Sequence, residues 1–273
     1  MRKNSTPESE RSRFGVAAGC LGIALLTVVL LRLHYDGVAR TVASSERFQV
    51  KPGNVKWNAP PAPIRPHADE DLWRRFSGFR PRSAFDEDLV SAVGTRLRAS
   101  PWVWRVDSIE KVFPNEVRAK VQWRRPAVFV YDGAYQLVSE DGVRLPVTRT
   151  TLGRDYVGII GVAGCTPPVG CPWTDEAVEG AVKLVARLKG SAAIRKLGLA
   201  AVDVSNYLGR REPCASEVVL FTRSNVRVMW GQLYPSPSEP SVESKLTRLQ
   251  SLATKQGISE VDLRLAEPAG GSL

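Results

Sequence analysis

Between residues 117 and 124 apolar and polar side chains alternate without a break, and a period of two dictates a half-buried strand. Val117, Ala119, Val121 and Trp123 fall on one face; Arg118, Lys120, Gln122 and Arg124 fall on the other. Pro114 and Asn115 turn the chain into this strand, and Val106, Ile109 and Val112 form an apolar run before it. Residues 128–131 and 137–138 supply further runs, punctuated by Asp132-Gly133 and Asp141-Gly142. Asp-Gly between apolar runs is a strong hairpin signal. Residues 100–145 are therefore expected to form a meander of short antiparallel strands, and its apolar face needs a cover.

Two helical stretches upstream can provide one. Residues 69–76 put Leu72, Trp73 and Phe76 on one side, with Asp69, Glu70 and Asp71 suited to the first turn. Residues 86–99 open on Asp86, Glu87 and Asp88 and repeat Leu89, Val93 and Leu97 at four-residue spacing until Ser100-Pro101 stops them. Residues 55–57 read as a strand, and Pro60, Pro61, Pro63 and Pro66 exclude regular structure after it. A second unit starts near Val147. Thr174 suits the N-cap of a helix whose Val178, Ala181, Val182, Val185 and Leu188 face a core. Residues 199–204, 218–221 and 226–230 read as strands, Ser241 caps another helix ending at Gly257, and Ile258, Val261 and Leu263 form a last strand.

The chain's 273 residues allow one large or two small domains. Residues 14–31 carry no charge and are rich in Leu, Val, Ala and Gly. Such a run just crosses a hydrocarbon core of about 30 Å, is longer than the apolar region of a signal peptide, and lacks a clean small-x-small site after it. We expect a membrane-spanning helix that includes Phe14, Leu21, Leu25 and Leu31. Arg2, Lys3, Arg11 and Arg13 precede it and only Arg32 closely follows, which would keep the amino terminus in the cytoplasm. The formal net charge is +10, of which residues 1–33 hold five Lys or Arg against two Glu. On an exported chain that excess suits anionic lipid, wall polymer or an acidic partner rather than nucleic acid, and a solvated basic surface serves equally well as an explanation.

Chemistry is sparse. Cys165 and Cys171 bracket a five-residue loop that a disulfide could close, and Cys171 with Cys214 is the competing pairing. The spacing fits no common zinc pattern. His34 and His67 are the two histidines, and no phosphate-binding or metalloprotease motif occurs. Acidic pairs such as Asp69 with Asp71 and Glu260 with Asp262 are more simply helix caps and solvated surface. Trp102, Trp104, Trp123 and Trp230 are core candidates first and ligand platforms second. No enzyme, metal or cofactor is expected.

Several short motifs occur in a telling order: Pro101-Trp102-Val103, then Val112-Phe113-Pro114-Asn115, then Arg124-Arg125-Pro126-Ala127-Val128, then Leu137-Val138 leading to Asp141-Gly142-Val143. Lys245-Leu246 and Val261-Asp262-Leu263-Arg264 close the series. In this the chain resembles the FtsQ/DivIB family of bacterial cell division proteins, with Trp123 where the family has an acidic residue and Leu265 where it has an aromatic one. The resemblance implies an α+β fold with a single N-terminal transmembrane helix, a small POTRA-type αβ domain, and a C-terminal mostly antiparallel β domain with flanking helices. The divisions would be a cytoplasmic tail 1–13, a membrane helix 14–33, a connector 34–47, a POTRA-like domain 48–146, a β domain 147–265 and a disordered tail 266–273. It further implies a single-pass protein of the bacterial inner membrane at the division site. Its role would be a non-enzymatic scaffold that helps regulate septal wall synthesis and binds bitopic coiled-coil partners of the FtsL, FtsB or DivIC kind. By motif match the docking edge would run through Val261, Asp262, Leu263, Arg264 and Leu265, although a terminal strand can also simply complete a sheet. The alternative is an envelope adaptor for secretion or outer-membrane assembly that handles polypeptides through the POTRA unit.

Overall fold

The computed structural model describes residues 8–234, 236–252 and 258–265. It separates into two compact units. One holds residues up to Ala59 together with Leu72–Arg96 and Asp107–Lys120; the other holds Pro60–Asp71, Leu97–Val106 and the chain from Val121 onward.

The first unit begins with α1 (Glu8–Ser44). β1 (Gln49–Val50) pairs antiparallel with β3 (Arg82–Ser83), and β2 (Val55–Trp57) lies parallel to β5 (Glu116–Trp123), which neighbours β4 (Val103–Val112). α2 (Arg65–Ser77) and α3 (Leu89–Arg98) carry the expected apolar stripes, and Leu72, Phe76, Leu89 and Val93 are buried. In β5 the alternation holds: Val117 and Ala119 are buried, Arg118 and Lys120 exposed. Pro66 is not excluded from regular structure. It sits in the first turn of α2, where its missing N–H has no helical partner to lose.

The expected membrane span is corrected. Among the described residues no helix is long and apolar enough to cross a membrane. The side chains of Phe14 and Leu21 lie outside the described residues. From Leu25 to Leu31 the leucines and valines are exposed, and α1 then runs on through Arg32, His34, Asp36 and Arg40, so its described apolar length falls short of the roughly 20 residues a crossing needs. A single-pass inner-membrane placement loses its support with it.

The second unit is built on an eight-stranded sheet in the order β13-β12-β11-β10-β9-β6-β7-β8. Its strands are β6 (Pro126–Asp132), β7 (Ala134–Ser139), β8 (Arg144–Arg149), β9 (Val157–Ile160), β10 (Leu199–Asp203), β11 (Val218–Thr222), β12 (Arg227–Gly231) and β13 (Glu260–Asp262). The expected meander thus divides: β4 and β5 stay in the three-stranded sheet, whereas β6 to β8 enter the large one. The break falls at Arg124-Arg125, outside any strand, before a proline that opens β6 without an N–H to give.

A second correction concerns the sheet, which is mixed rather than mostly antiparallel, in a mixed α/β fold. β9 lies parallel to both β6 and β10, and β13 lies parallel to β12. Parallel neighbours require a long crossover. α4 (Glu176–Lys189) and α5 (Ala192–Leu197) make it between β9 and β10, and α6 (Val242–Leu252) makes it between β12 and β13. Asp175, not Thr174, caps α4: its Oδ1 accepts from Ala177 N at 2.8 Å.

Both faces of β6 are covered, which explains its unbroken apolar run. Val128 and Val130 join the main core with Val178, Val182 and Val185 of α4, and with Ile159, Val202, Leu220 and Val228. Phe129 points to the opposite face, where it joins Ile64, Trp102, Leu137 and Leu145.

Candidate functional site

β13 ends the sheet, with β12 on one side and, among the described residues, no strand on the other. Its register is Arg227 with Glu260, Val228 with Val261 and Met229 with Asp262. Arg227 N donates to Ser259 O at 2.8 Å and Leu263 N donates to Met229 O at 2.9 Å, so alternate residues Ser259, Val261 and Leu263 bond inward. Glu260 and Asp262 accordingly turn their N–H and C=O groups away from the sheet. Val261 and Leu263 send their side chains into the core, while Leu265 is 70% exposed. Of the five residues expected to form the edge, Val261 and Leu263 therefore anchor it, Asp262 presents backbone, and Leu265 presents an apolar side chain.

Arg264 limits how far the edge extends. Its guanidinium donates to both Asp262 oxygens, Nε at 3.1 Å to each and Nη2 at 2.8 Å to Oδ2, and its Nη1 donates to Cys214 O at 2.9 Å. Its backbone N–H donates to Asp262 Oδ1 at 2.9 Å, which satisfies a group that would otherwise face outward. Beside the edge, Ser244, Arg248, Leu263 and Leu265 line a shallow groove of about 350 Å³, and Arg248 Nη1 donates to Leu265 O at 2.7 Å.

Hydrogen bonds from the Arg264 side chain, then its backbone N–H and its charge, hold the Asp262 carboxyl below the ordinary value despite partial burial. A carboxylate depressed in the folded state stabilises above its unfolded value of about 3.9, and that contribution is lost as pH falls through the lowered value. Asp262→Asn is expected to cost about 1 kcal/mol at neutral pH, discounted for exposure, and to flatten the acid limb of the stability curve below about pH 4. Thermal melts from neutral to acidic pH would show this.

Behind β13 lies a buried ion pair. Lys245 of α6 is 4% exposed; its Nζ donates to Trp230 O at 2.7 Å and to Glu239 Oε2 at 2.5 Å, and lies 5.2 Å from the Trp230 ring centroid. The Glu239 carboxylate also accepts from Gln232 N at 3.1 and 3.0 Å. It rests on bare backbone at Gly231, whose φ of +97° and lack of Cβ leave room that a side chain would take from the carboxylate. Sequence reasoning missed this pair, yet a signal was present: Lys245 falls on the apolar arc of α6 between Val242 and Leu249. Ser241 caps the helix as expected, its Oγ accepting from Ser244 N at 3.2 Å.

The remaining motif residues fall in two places. Arg124 gathers three separate motifs: its backbone N–H donates to Trp102 O at 2.8 Å, its Nη1 donates to Pro101 O at 3.0 Å and Val103 O at 2.8 Å, and its Nε donates to Asp141 Oδ2 at 2.9 Å. Pro126 follows at the start of β6, paired with Ser139. Pro114 and Asn115 form the turn between β4 and β5, and Phe113 before them is exposed, with its ring 5.6 Å from that of Phe85.

Cys165 and Cys171, the candidate disulfide pair, are both free and exposed thiols, as is Cys214. That loop is held by two strands. Thr166 N and Oγ1 donate to Asp132 Oδ2 at the end of β6, while Arg144 N of β8 donates to Cys171 O at 3.0 Å and Arg144 Nη1 donates to Pro167 O at 2.7 Å. His67, in α2, has its ring stacked on Trp102 at 6.1 Å.

No protein-family model matches the chain, and no curated protein matches it. Among solved structures, the major extracytoplasmic domain of the trans isomer of the bacterial cell division protein DivIB from Geobacillus stearothermophilus is 18% identical, over 38% of this chain and 75% of that one, with a TM-score of 0.26. That domain is a distant structural neighbour, and a superposition so low supplies no residue correspondence and no argument about the edge.

Proposed function

We propose that the chain is a non-enzymatic scaffold of the bacterial division machinery. It docks small coiled-coil division proteins of the FtsL, FtsB or DivIC kind by strand addition at β13, and so helps regulate septal wall synthesis. The observation that carries this reading is the edge itself: Glu260 and Asp262 turn backbone donors and acceptors outward from a strand whose side chains are firmly anchored. An extended partner segment can bond to such a row, and neighbouring pockets then select its side chains. The order of motifs from Pro101 to Arg264 supports the division assignment over other scaffolds.

Glu260→Pro isolates the edge, because it removes an outward N–H and leaves the inward ladder through Val261 intact. Affinity-tagged full-length chain recovered from its native cell is expected to bring down small coiled-coil proteins. The Glu260→Pro chain should lose them at an unchanged melting temperature. Recovery of the same partners by the variant, or normal septation after depletion of the chain, would overturn the reading.

A further inference from the structure

Among the described residues, α1 presents an apolar stripe that no other element covers. Beyond Leu33 its large apolar side chains are Tyr35, Val38 and Val42, and every other position is small, polar or charged. Together with Val28 and Leu31 they recur at alternating intervals of three and four residues, which is the heptad spacing, with Val28, Tyr35 and Val42 at a and Leu31 and Val38 at d. At about 3.6 residues per turn this places all five along one side of the helix. They are open to solvent, from 40% at Val42 to 74% at Tyr35. The sequence keeps the same positions apolar back through Ala24, Leu21, Ala17 and Phe14, the sustained repeat that a coiled coil requires.

The surroundings of the stripe narrow its occupant. Lipid would ask for apolar side chains all round, whereas beyond Leu33 the rest of the helix surface carries His34, Asp36, Arg40 and Ser44. A different chain would be selected through charged e and g positions, but of those from Thr27 to Thr41 only Arg32 bears a formal charge. In a parallel pair of identical helices Arg32 faces Thr27 of the second copy, so no like charges meet, and valine at a with leucine at d favours two parallel strands. Beside the stripe lies a shallow groove of about 410 Å³, lined in part by His34, Gly37, Val38, Thr41 and Val42. Thr41 Oγ1 already donates to Gly37 O at 3.0 Å, so a helix laid there strands no hydroxyl. We propose that this stripe pairs with α1 of a second copy as a parallel two-stranded coiled coil. The pairing uses neither β13 nor any residue of the second unit.

The test is sedimentation equilibrium of the full chain in a mild non-ionic detergent, with energy transfer between copies labelled at the amino terminus with donor or acceptor. A reversible dimer with strong transfer is expected, because parallel helices hold both amino termini at the same end. Tyr35→Glu and Val38→Glu should each weaken the dimer at least tenfold, while Leu33→Glu, on the opposite side of α1, should leave it unchanged. Glutamate is a good helix former, so far-UV circular dichroism should be the same in all three. Glu260→Pro should dimerise like the parent chain, which keeps failure of the stripe distinct from failure of the edge. A monomer at high micromolar concentration, an undiminished dimer in Val38→Glu, an equal loss in Leu33→Glu, or a dimer without transfer would overturn the proposal.

Discussion

Lys245→Met is expected to destabilise the protein by about 3–5 kcal/mol, the effect of removing one partner from a buried ion pair. The loss arises less from the missing attraction than from what stays behind. Glu239 keeps its position over Gly231 and Gln232 N, and Trp230 O loses the ammonium that satisfied it. The double variant Lys245→Met with Glu239→Gln should recover a large part of that loss, because no uncompensated buried charge remains. Thermal and denaturant unfolding of both chains would separate these terms. Similar losses in the single and double variants would show that packing of the lysine stem on Trp230, not charge, holds α6 in place.

Arg124→Ala is expected to cost about 3 kcal/mol, since hydrogen bonds to charged groups contribute about 1.5–3 kcal/mol and this side chain makes three. For a chain of this size that corresponds to roughly 6–12 °C in melting temperature. Arg124→Lys should restore only part of it. A lysine ammonium cannot span the two carbonyls of Pro101 and Val103 and the Asp141 carboxylate with the planar geometry a guanidinium has. If lysine were fully as stable, the contact would be a simple point charge and the shape of the cluster would be irrelevant.

Local patterns made much of the architecture legible. The stripe Val178, Ala181, Val182, Val185 and Leu188 located α4, Leu89 and Val93 located α3, and the alternation from Val117 located β5, because each pattern is imposed by the geometry of one element. What joins elements was much harder to read. The parallel placement of β9 between β6 and β10 depends on crossovers through α4 and α5, and no residue of β9 announces its neighbours. Hairpin signals such as Asp132-Gly133 speak only for adjacent strands, which is why they led to an antiparallel reading.

The edge was partly legible as a short run, Val261 to Leu263, at the end of the ordered pattern. Its division of labour was not, since the direction of each backbone group follows from pairing with Arg227 and Met229 far back in the sequence. The Arg124 cluster was visible as three motifs but not as one contact, because its partners lie 17 to 23 residues away. The cysteines illustrate the same limit. Proximity in sequence marked Cys165 and Cys171 as a candidate bridge, but the tethers from Asp132 and Arg144 that hold the loop between them come from strands distant in the chain.

β9 has a consequence for how the second unit holds together. The strands on either side of it, β6 to β8 and β10 to β12, are each a locally paired antiparallel set, and the four residues Val157–Ile160 carry the ladder from one set to the other. The backbone continuity of the large sheet therefore passes through its shortest interior strand. A weakening there would cut the backbone link between the two sub-sheets and leave the shared core under α4, which takes Val128 and Val130 from one and Val202, Leu220 and Val228 from the other, as their remaining tie.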